Sequence, residues 1–276
     1  MKKTKRIMVV IGTRPEAVKM LPLVRELRQR PAFEVRVVVT GQHRQMLDQV
    51  FDAFAETSDI DLALMSQGQS LSKITSAILE AMTDVIQNEE PDLVLVHGDT
   101  TTAMASALAA SYCRKKIGHV EAGLRSYDLT KPWPEEMNRV YIDAIADFRF
   151  APTSVSAENL SREYNNRAAV IVTGNTGIDA VLYISRKIDT EAATRAELDH
   201  RFGYLDRTKK LLLVTAHRRE SFGTGLQEIC QGIAKLSERD DIELIYPVHL
   251  NPNVYEVVRK LLRDRPNVHL VDPVGY

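Results

Sequence analysis

Short apolar runs alternate with amphipathic stretches along most of the chain, and this rhythm fixes the first expectations. Ile7–Ile11 is a β-rich run that ends at Gly12. Helical spacing follows from Pro15 to Arg28, and Phe33–Val39 predicts a second strand ending at Thr40 and Gly41. No element is read between Gly41 and Leu71. Leu71–Gln87 predicts a helix, Leu93–Val96 a buried strand, Thr101–Cys113 an Ala-rich helix, and Gly118–Val120 a strand end. Pro134–Ala146 is helical, Phe148–Ala151 extended, Ser154–Tyr164 helical and Ala169–Thr173 extended. Near-continuous apolar strands followed by helices indicate a parallel sheet covered on both faces. Right-handed crossovers turn that sheet into a doubly wound α/β layout.

The composition shifts after Asn175, and residues 186–210 are rich in charge and poor in strand signal. The pattern then restarts with strands at Leu211–Thr215, Ile242–Pro247 and Val268–Val271 and helices at Leu226–Ser237 and Asn253–Arg263. The expectation is an N-terminal Rossmann-like domain over residues 1–175 and the start of a second over 176–276. Three strands fall short of the roughly five or six of a doubly wound domain, so the second is expected to be incomplete.

Composition narrows the function classes. Lys and Arg total 36 against 37 Asp and Glu, so there is no general electrostatic case for nucleic acid or an anionic membrane. Cys113 and Cys230 form neither a disulfide framework nor a metal-ligand spacing, and both read as free thiols of a reducing compartment. The basic N-terminus precedes an apolar run too short for a signal-peptide core or a membrane span, which points to the cytoplasm.

Ligands of open parallel sheets bind beyond the C-terminal ends of the strands. Those ends carry Gly12-Thr13-Arg14, Thr40-Gly41-Gln42-His43, His97-Gly98-Asp99-Thr100, Glu121-Ala122-Gly123-Leu124-Arg125 and Thr173-Gly174-Asn175. The second unit adds His217-Arg218-Arg219 and Val248-His249, which suggests a cleft between two domains. Thr13 and Glu16 have capping-box spacing with Pro15 in the first turn, and a helix N-terminus there offers N–H groups to an anion. Arg14 and Lys19 add positive charge, and their spacing of five puts them on different faces of a helix. A plain strand–helix connection with solvated charges is the ordinary alternative for this turn. It lacks the Gly-x-Gly-x-x-Gly and Walker patterns, which argues against a nicotinamide or flavin cofactor and against ATP hydrolysis. Asp99, Glu121 and Glu135 are three carboxylates that can divide acid and base roles if their environments differ. Glu135 also reads as a first-turn acid complementing a helix dipole. His217 beside two arginines suits an anion, whereas His249, His97 and His43 carry weaker signals.

Together these segments resemble the non-hydrolysing UDP-N-acetylglucosamine 2-epimerases. The strings that carry the resemblance include Gly12–Met20, Gly41–Leu47, His97–Thr101, Gly118–Arg125, Pro134–Arg139, Thr173–Thr176 and Thr215–Glu220, in the family's order. The resemblance implies two Rossmann-like domains in the arrangement of nucleotide-sugar glycosyltransferases (GT-B-like), a homodimer, and a cofactor-free reaction, and no tightly spaced carboxylate motif supports a metal. UDP would be eliminated across C1–C2 to give a bound 2-acetamidoglucal and then add back. The carry-over puts Arg14 and Lys19 on substrate or phosphate, with Arg139 and His217 near the diphosphate. Asp99, Glu121 and Glu135 fall on proton transfer and sugar contact, His217 counts with this catalytic group, and Val274 lies in the uracil-contacting loop. Gln42, His43, Gln45, Gln69 and His249 match a second, activating substrate site, although Gly68 stands where regulated members carry an arginine. The family also continues past the last residue here with segments that hold UDP, so weak or no activity is an expectation. A two-domain glycosyltransferase, a hydrolysing epimerase and a non-catalytic nucleotide-sugar-binding module are the rival readings.

Overall fold

The computed structural model of the chain describes residues 4–41, 44–64, 68–163, 168–216 and 223–275, with backbone alone for residues 44–46. It divides into two compact units, Met1–Arg186 and Lys187–Tyr276.

The first unit is built on a seven-stranded parallel sheet: β1 (Lys5–Ile11), β2 (Phe33–Val39), β3 (Ile60–Asp61), β4 (Leu93–His97), β5 (Lys116–Val120), β6 (Phe148–Ala151) and β7 (Ala169–Val172). Their spatial order is β3-β2-β1-β4-β5-β6-β7. Strand β1 therefore pairs with β2 on one side and β4 on the other, with Val9 opposite both Val37 and Leu95. The direction of winding reverses between β1 and β4, the point where doubly wound sheets open a ligand crevice.

Period-two alternation loads both faces of this sheet. Ile7, Val9 and Ile11 join one buried cluster with Val35, Val37 and Val39, while Met8 and Val10 join the opposite one with Val94 and Val96. Helix α1 (Arg14–Arg28) covers the first face through Ala17, Met20, Leu21 and Val24, the i, i+3, i+4, i+7 stripe of an amphipathic helix. Helix α2 (Arg44–Phe54) packs beside it through Leu47, Val50, Phe51 and Phe54. The other face is covered by α3 (Leu71–Glu89), α4 (Thr101–Tyr112) and α5 (Glu135–Ile145). The small alanines of α4 at 103, 105, 107, 109 and 110 are all buried, which lets its backbone approach the sheet and α3. Helix α6 (Ser154–Glu163) and the long α7 (Thr176–Thr190) complete the series, and Tyr183 of α7 stacks on Phe54 with ring centroids 4.9 Å apart.

The helix α2, the short β3 and the helix α7 were not anticipated from the sequence. The α2 stripe has helical spacing but lies beside a stretch of mixed signals, and α7 begins at the composition shift. Helix Ala192–Arg201 in the second unit was not anticipated either, and the other elements fall within a few residues of expectation.

The second unit contains α8 (Ala192–Arg201), β8 (Lys210–Leu213), α9 (Thr224–Leu236), β9 (Ile242–Pro247), α10 (Pro252–Leu262) and β10 (Val268–Val271). Its sheet is parallel, in the order β10-β9-β8. Leu226, Cys230 and Ile233 of α9 and Val254, Val258 and Leu262 of α10 bury one face of it. On the other side Leu211 and Leu213 line an apolar cavity of about 600 Å3 with Phe202, Ile245, Pro247 and Val274. Cys230 is a buried free thiol and Cys113 a half-buried one. Among the described residues, no helix is long and apolar enough to cross a membrane.

Candidate active site

A cavity of about 520 Å3 opens at the winding reversal, above the C-terminal ends of β1, β4 and β5. The turns after these strands and the N-termini of α1 and α4 form its walls, among them Arg14, Glu16, Lys19, His97, Asp99 and Glu121. Thr100 caps α4, its hydroxyl accepting from Ala103 N at 3.0 Å. Two helix N-termini on one cavity are a place for an anion.

Close packing sets the floor. A Cβ on Gly12 would sit 2.4 Å from Thr102 Oγ1, so only glycine lets β1 turn against α4 at this point. The capping box expected at Thr13 takes a different form. Thr13 makes no side-chain cap bond, and Glu16 instead turns inward, almost fully buried. Its carboxylate accepts from Gly12 N at 3.0 Å and from Thr100 Oγ1 at 2.8 Å, stitching the two turns together. Burial raises the Glu16 pKa against the lowering effect of these bonds.

Lys19 and Arg14 both line this one cavity. The lysine stem is long enough to bring Nζ across to Glu121, with which it forms an ion pair. Arg14 makes no ion pair or hydrogen bond among the described residues and presents a free guanidinium to the cavity.

The two central carboxylates occupy opposite electrostatic environments. Burial alone would push Glu121 upward, but the facing His97 and Lys19 outweigh it and hold the carboxyl at about 2. His97 is buried, with Nε2 3.6 Å from Glu121 Oε2 and no hydrogen-bond partner. Asp99 is displaced the other way. Burial raises its pKa, Arg139 opposes this, and the negative charges of Glu135 and Glu121 add to the rise. Helix α5 holds Asp99 by both its backbone and its side chain: Asn138 Nδ2 donates to the Asp99 carbonyl at 2.8 Å, and Arg139 Nη2 donates to Oδ2 at 2.6 Å. Glu135 opens the same helix, half-buried, and acts on Asp99 through its field.

Glu121 itself sits at φ +68, in the left-handed region uncommon for a residue with a side chain. A conformation of that kind costs about 1–3 kcal/mol and persists only where neighbours over-determine it. The neighbours here are hydrogen bonds from Ala122 N to Phe150 O at 3.1 Å and from Gly123 N to Asp143 Oδ2 at 3.1 Å. The buried Glu136 fixes the next stretch by accepting from Ser126 N and Tyr127 N, each at 2.9 Å.

The family model for UDP-N-acetylglucosamine 2-epimerase matches residues 25–276. The chain belongs to this family. Over 272 residues it is 48% identical to the UDP-N-acetylglucosamine 2-epimerase of Escherichia coli strain K12, covering 98% of this chain and 72% of that protein. The crystal structure of UDP-GlcNAc 2-epimerase from Neisseria meningitidis bound to UDP-GlcNAc is 43% identical, with a TM-score of 0.88 over 98% of this chain and 73% of that one. The Methanocaldococcus jannaschii UDP-GlcNAc 2-epimerase in complex with UDP-GlcNAc and UDP is 31% identical, with a TM-score of 0.76 over 98% of this chain and 74% of that one.

Of the residues this epimerase resemblance singles out, the fold brings Arg14, Lys19, Asp99 and Glu121 to one cavity and places Arg139 on Asp99. Gln69 donates through Nε2 to Leu64 O at 3.2 Å. In the second unit, the exposed His249 accepts at Nδ1 from Asn251 N at 3.1 Å, and Val274 lines the apolar cavity there. His217, Gln42 and His43 lie outside the described residues, as does the side chain of Gln45. Sequence reasoning undervalued His97 and gave no role to Glu136, His119 or Asp143. His97 carried a usable signal, since it stands at a strand end beside Asp99. The partnership of His119 with Asp143, 24 positions apart, has no sequence spacing that announces it.

Proposed function

We propose that this chain interconverts UDP-N-acetylglucosamine and UDP-N-acetylmannosamine by eliminating UDP across C1–C2 and adding it back after the face of C2 presented to the proton has changed. The observation that carries the reading is one cavity in which two carboxylates are driven apart, Glu121 downward and Asp99 upward. Such a division is how one site provides a fixed anion and a proton carrier together. Membership of the epimerase family and the relatives' complexes with UDP-GlcNAc support the choice of substrate.

The chemistry follows from the bonds that change. A base removes the C2 proton, the C–H electron pair forms C1=C2, and the C1–O bond breaks with its pair left on the β-phosphate oxygen. Return of that oxygen to C1 and of a proton to the other face of C2 completes the cycle, with no net oxidation. A carboxyl held at about 2 is a weak base, which makes Glu121 the standing anion paired to Lys19. Asp99, displaced upward and clamped by Arg139, is the better proton carrier. Glu135 tunes Asp99 and reaches the sugar. Arg14 and the two helix N-termini take the diphosphate charge that develops as UDP leaves. A homodimeric, cytoplasmic enzyme supplying polysaccharide precursors is the setting this reading implies.

Asp99→Asn tests the assignment. It should cut both epimerisation and C2 hydrogen exchange by about 10²–10⁴-fold, the usual worth of a positioned acid–base group. Full exchange in that variant would remove Asp99 from proton transfer.

A further inference from the structure

His119 and Asp143 are each fully buried, beneath the turns that carry the two central carboxylates. His119 Nδ1 lies 2.6 Å from Asp143 Oδ1, and Nε2 lies 2.7 Å from the carbonyl oxygen of Gly98. A carbonyl oxygen can only accept, and so can an ionised carboxylate. A neutral imidazole has one N–H and one lone pair. In either neutral tautomer, one ring nitrogen would hold its lone pair against an oxygen lone pair at hydrogen-bond distance, in a place with no exposed surface. A proton on Asp143 in place of the second N–H is disfavoured by what surrounds that carboxylate. Its Oδ2 accepts from Gly123 N at 3.1 Å and pairs with Arg125 Nη1 at 2.8 Å.

We propose that His119 is a positioning residue, kept as a doubly protonated imidazolium, that locks the Gly98 and Gly123 turns together and thereby sets Asp99 against Glu121. The ring donates to the peptide carbonyl that leads directly into Asp99. Through Asp143 it reaches the N–H two residues beyond Glu121, where the chain must hold φ +68. The other charged groups facing this centre are Arg125, Glu163 and Arg149. Arg125 is matched by Glu163, which its Nη2 reaches at 2.7 Å, and the buried Arg149 donates Nε to the Asp143 backbone carbonyl at 2.7 Å. A cationic ring also draws electron density from the Gly98 carbonyl, stiffening the peptide that presents Asp99.

The positioning role rests on the reading of Asp99 and Glu121 as the reacting carboxylates; the protonation state does not. The test is ¹⁵N NMR of the chain labelled at histidine, recorded at mildly alkaline pH. One ring among the seven histidines should show both nitrogens as N–H, assigned to His119 by through-bond correlation to its backbone, and should lose that pattern in Asp143→Asn. A neutral His119 ring would overturn the proposal. Its consequence is read in His119→Gln, which retains one donor. Turnover should fall by about 10–100-fold, the scale of a small misplacement of reacting groups, with KM for UDP-N-acetylglucosamine within about twofold. Unchanged kcat would refute the positioning role. A wild-type chain with no turnover would instead defeat the functional reading and leave the ring nitrogens as the judge of the imidazolium.

Discussion

Replacing Glu121 by glutamine should make the first unit less stable by an amount that depends on pH, and the structure sets the size. The unfolded chain protonates this carboxyl near 4.5, whereas in the folded chain it stays charged down to about 2. That difference corresponds to about 3 kcal/mol of folding stability, and the side chain is only 14% exposed, so little is lost to solvent screening. Because the folded value is the lower one, the contribution is complete above about 4.5 and is lost as pH falls through about 2. Between neutrality and about pH 3 the wild type should forfeit about 2 kcal/mol that the variant never had. The assay is urea unfolding followed by the fluorescence of Trp133, the single tryptophan, which lies in the first unit. Wild type and Glu121→Gln should differ by about 3 kcal/mol near neutrality and by about 1 kcal/mol near pH 3. A gap that stays constant across this range would refute the claim that Lys19 and His97 hold Glu121 as a fixed anion.

Other residues give sharper single outcomes. Arg14→Met should weaken UDP binding by about 1.5–3 kcal/mol, the worth of a charge-assisted hydrogen bond, which titration calorimetry with UDP would register. Gly123→Ala should unfold at clearly lower denaturant, because φ is +83 there and a Cβ would meet the Ser156 carbonyl oxygen at 2.3 Å. Thr100→Val removes both the α4 cap and the hydroxyl held by Glu16, and should cost about 1–2 kcal/mol in the same unfolding assay.

Much of the architecture was legible because the strands are fully apolar and each is followed by a striped helix. Ile7–Ile11 and Phe33–Val39 could hardly be anything but central strands, and the ends of the Ile7, Leu93 and Val120 strands pointed directly to Arg14, Asp99 and Glu121. The elements that escaped reading are those where the stripe is short or the surroundings are charged, as at Leu47–Phe54 and Thr176–Thr190. Within the site, the capping-box pattern at Thr13 and Glu16 was half right: Glu16 reaches back to Gly12 N, while Thr13 makes no side-chain cap bond. Spacing indicates that a carboxylate can turn back to its helix start, but not that a neighbouring hydroxyl, Thr100, will draw it inward. The same limit hid the contact of Lys19 with Glu121. A five-residue spacing separates helix faces, yet a flexible four-carbon stem crosses that distance. His119, Asp143 and Glu136 act through burial and partners brought together by the fold, and no local sequence signal encodes such partners.

The most direct test of the central claim is proton NMR of UDP-N-acetylglucosamine incubated with this chain in D₂O. The account predicts deuterium at C2 together with the growth of UDP-N-acetylmannosamine signals. Epimerisation that retained the original C2 hydrogen, or binding with neither exchange nor product, would contradict it.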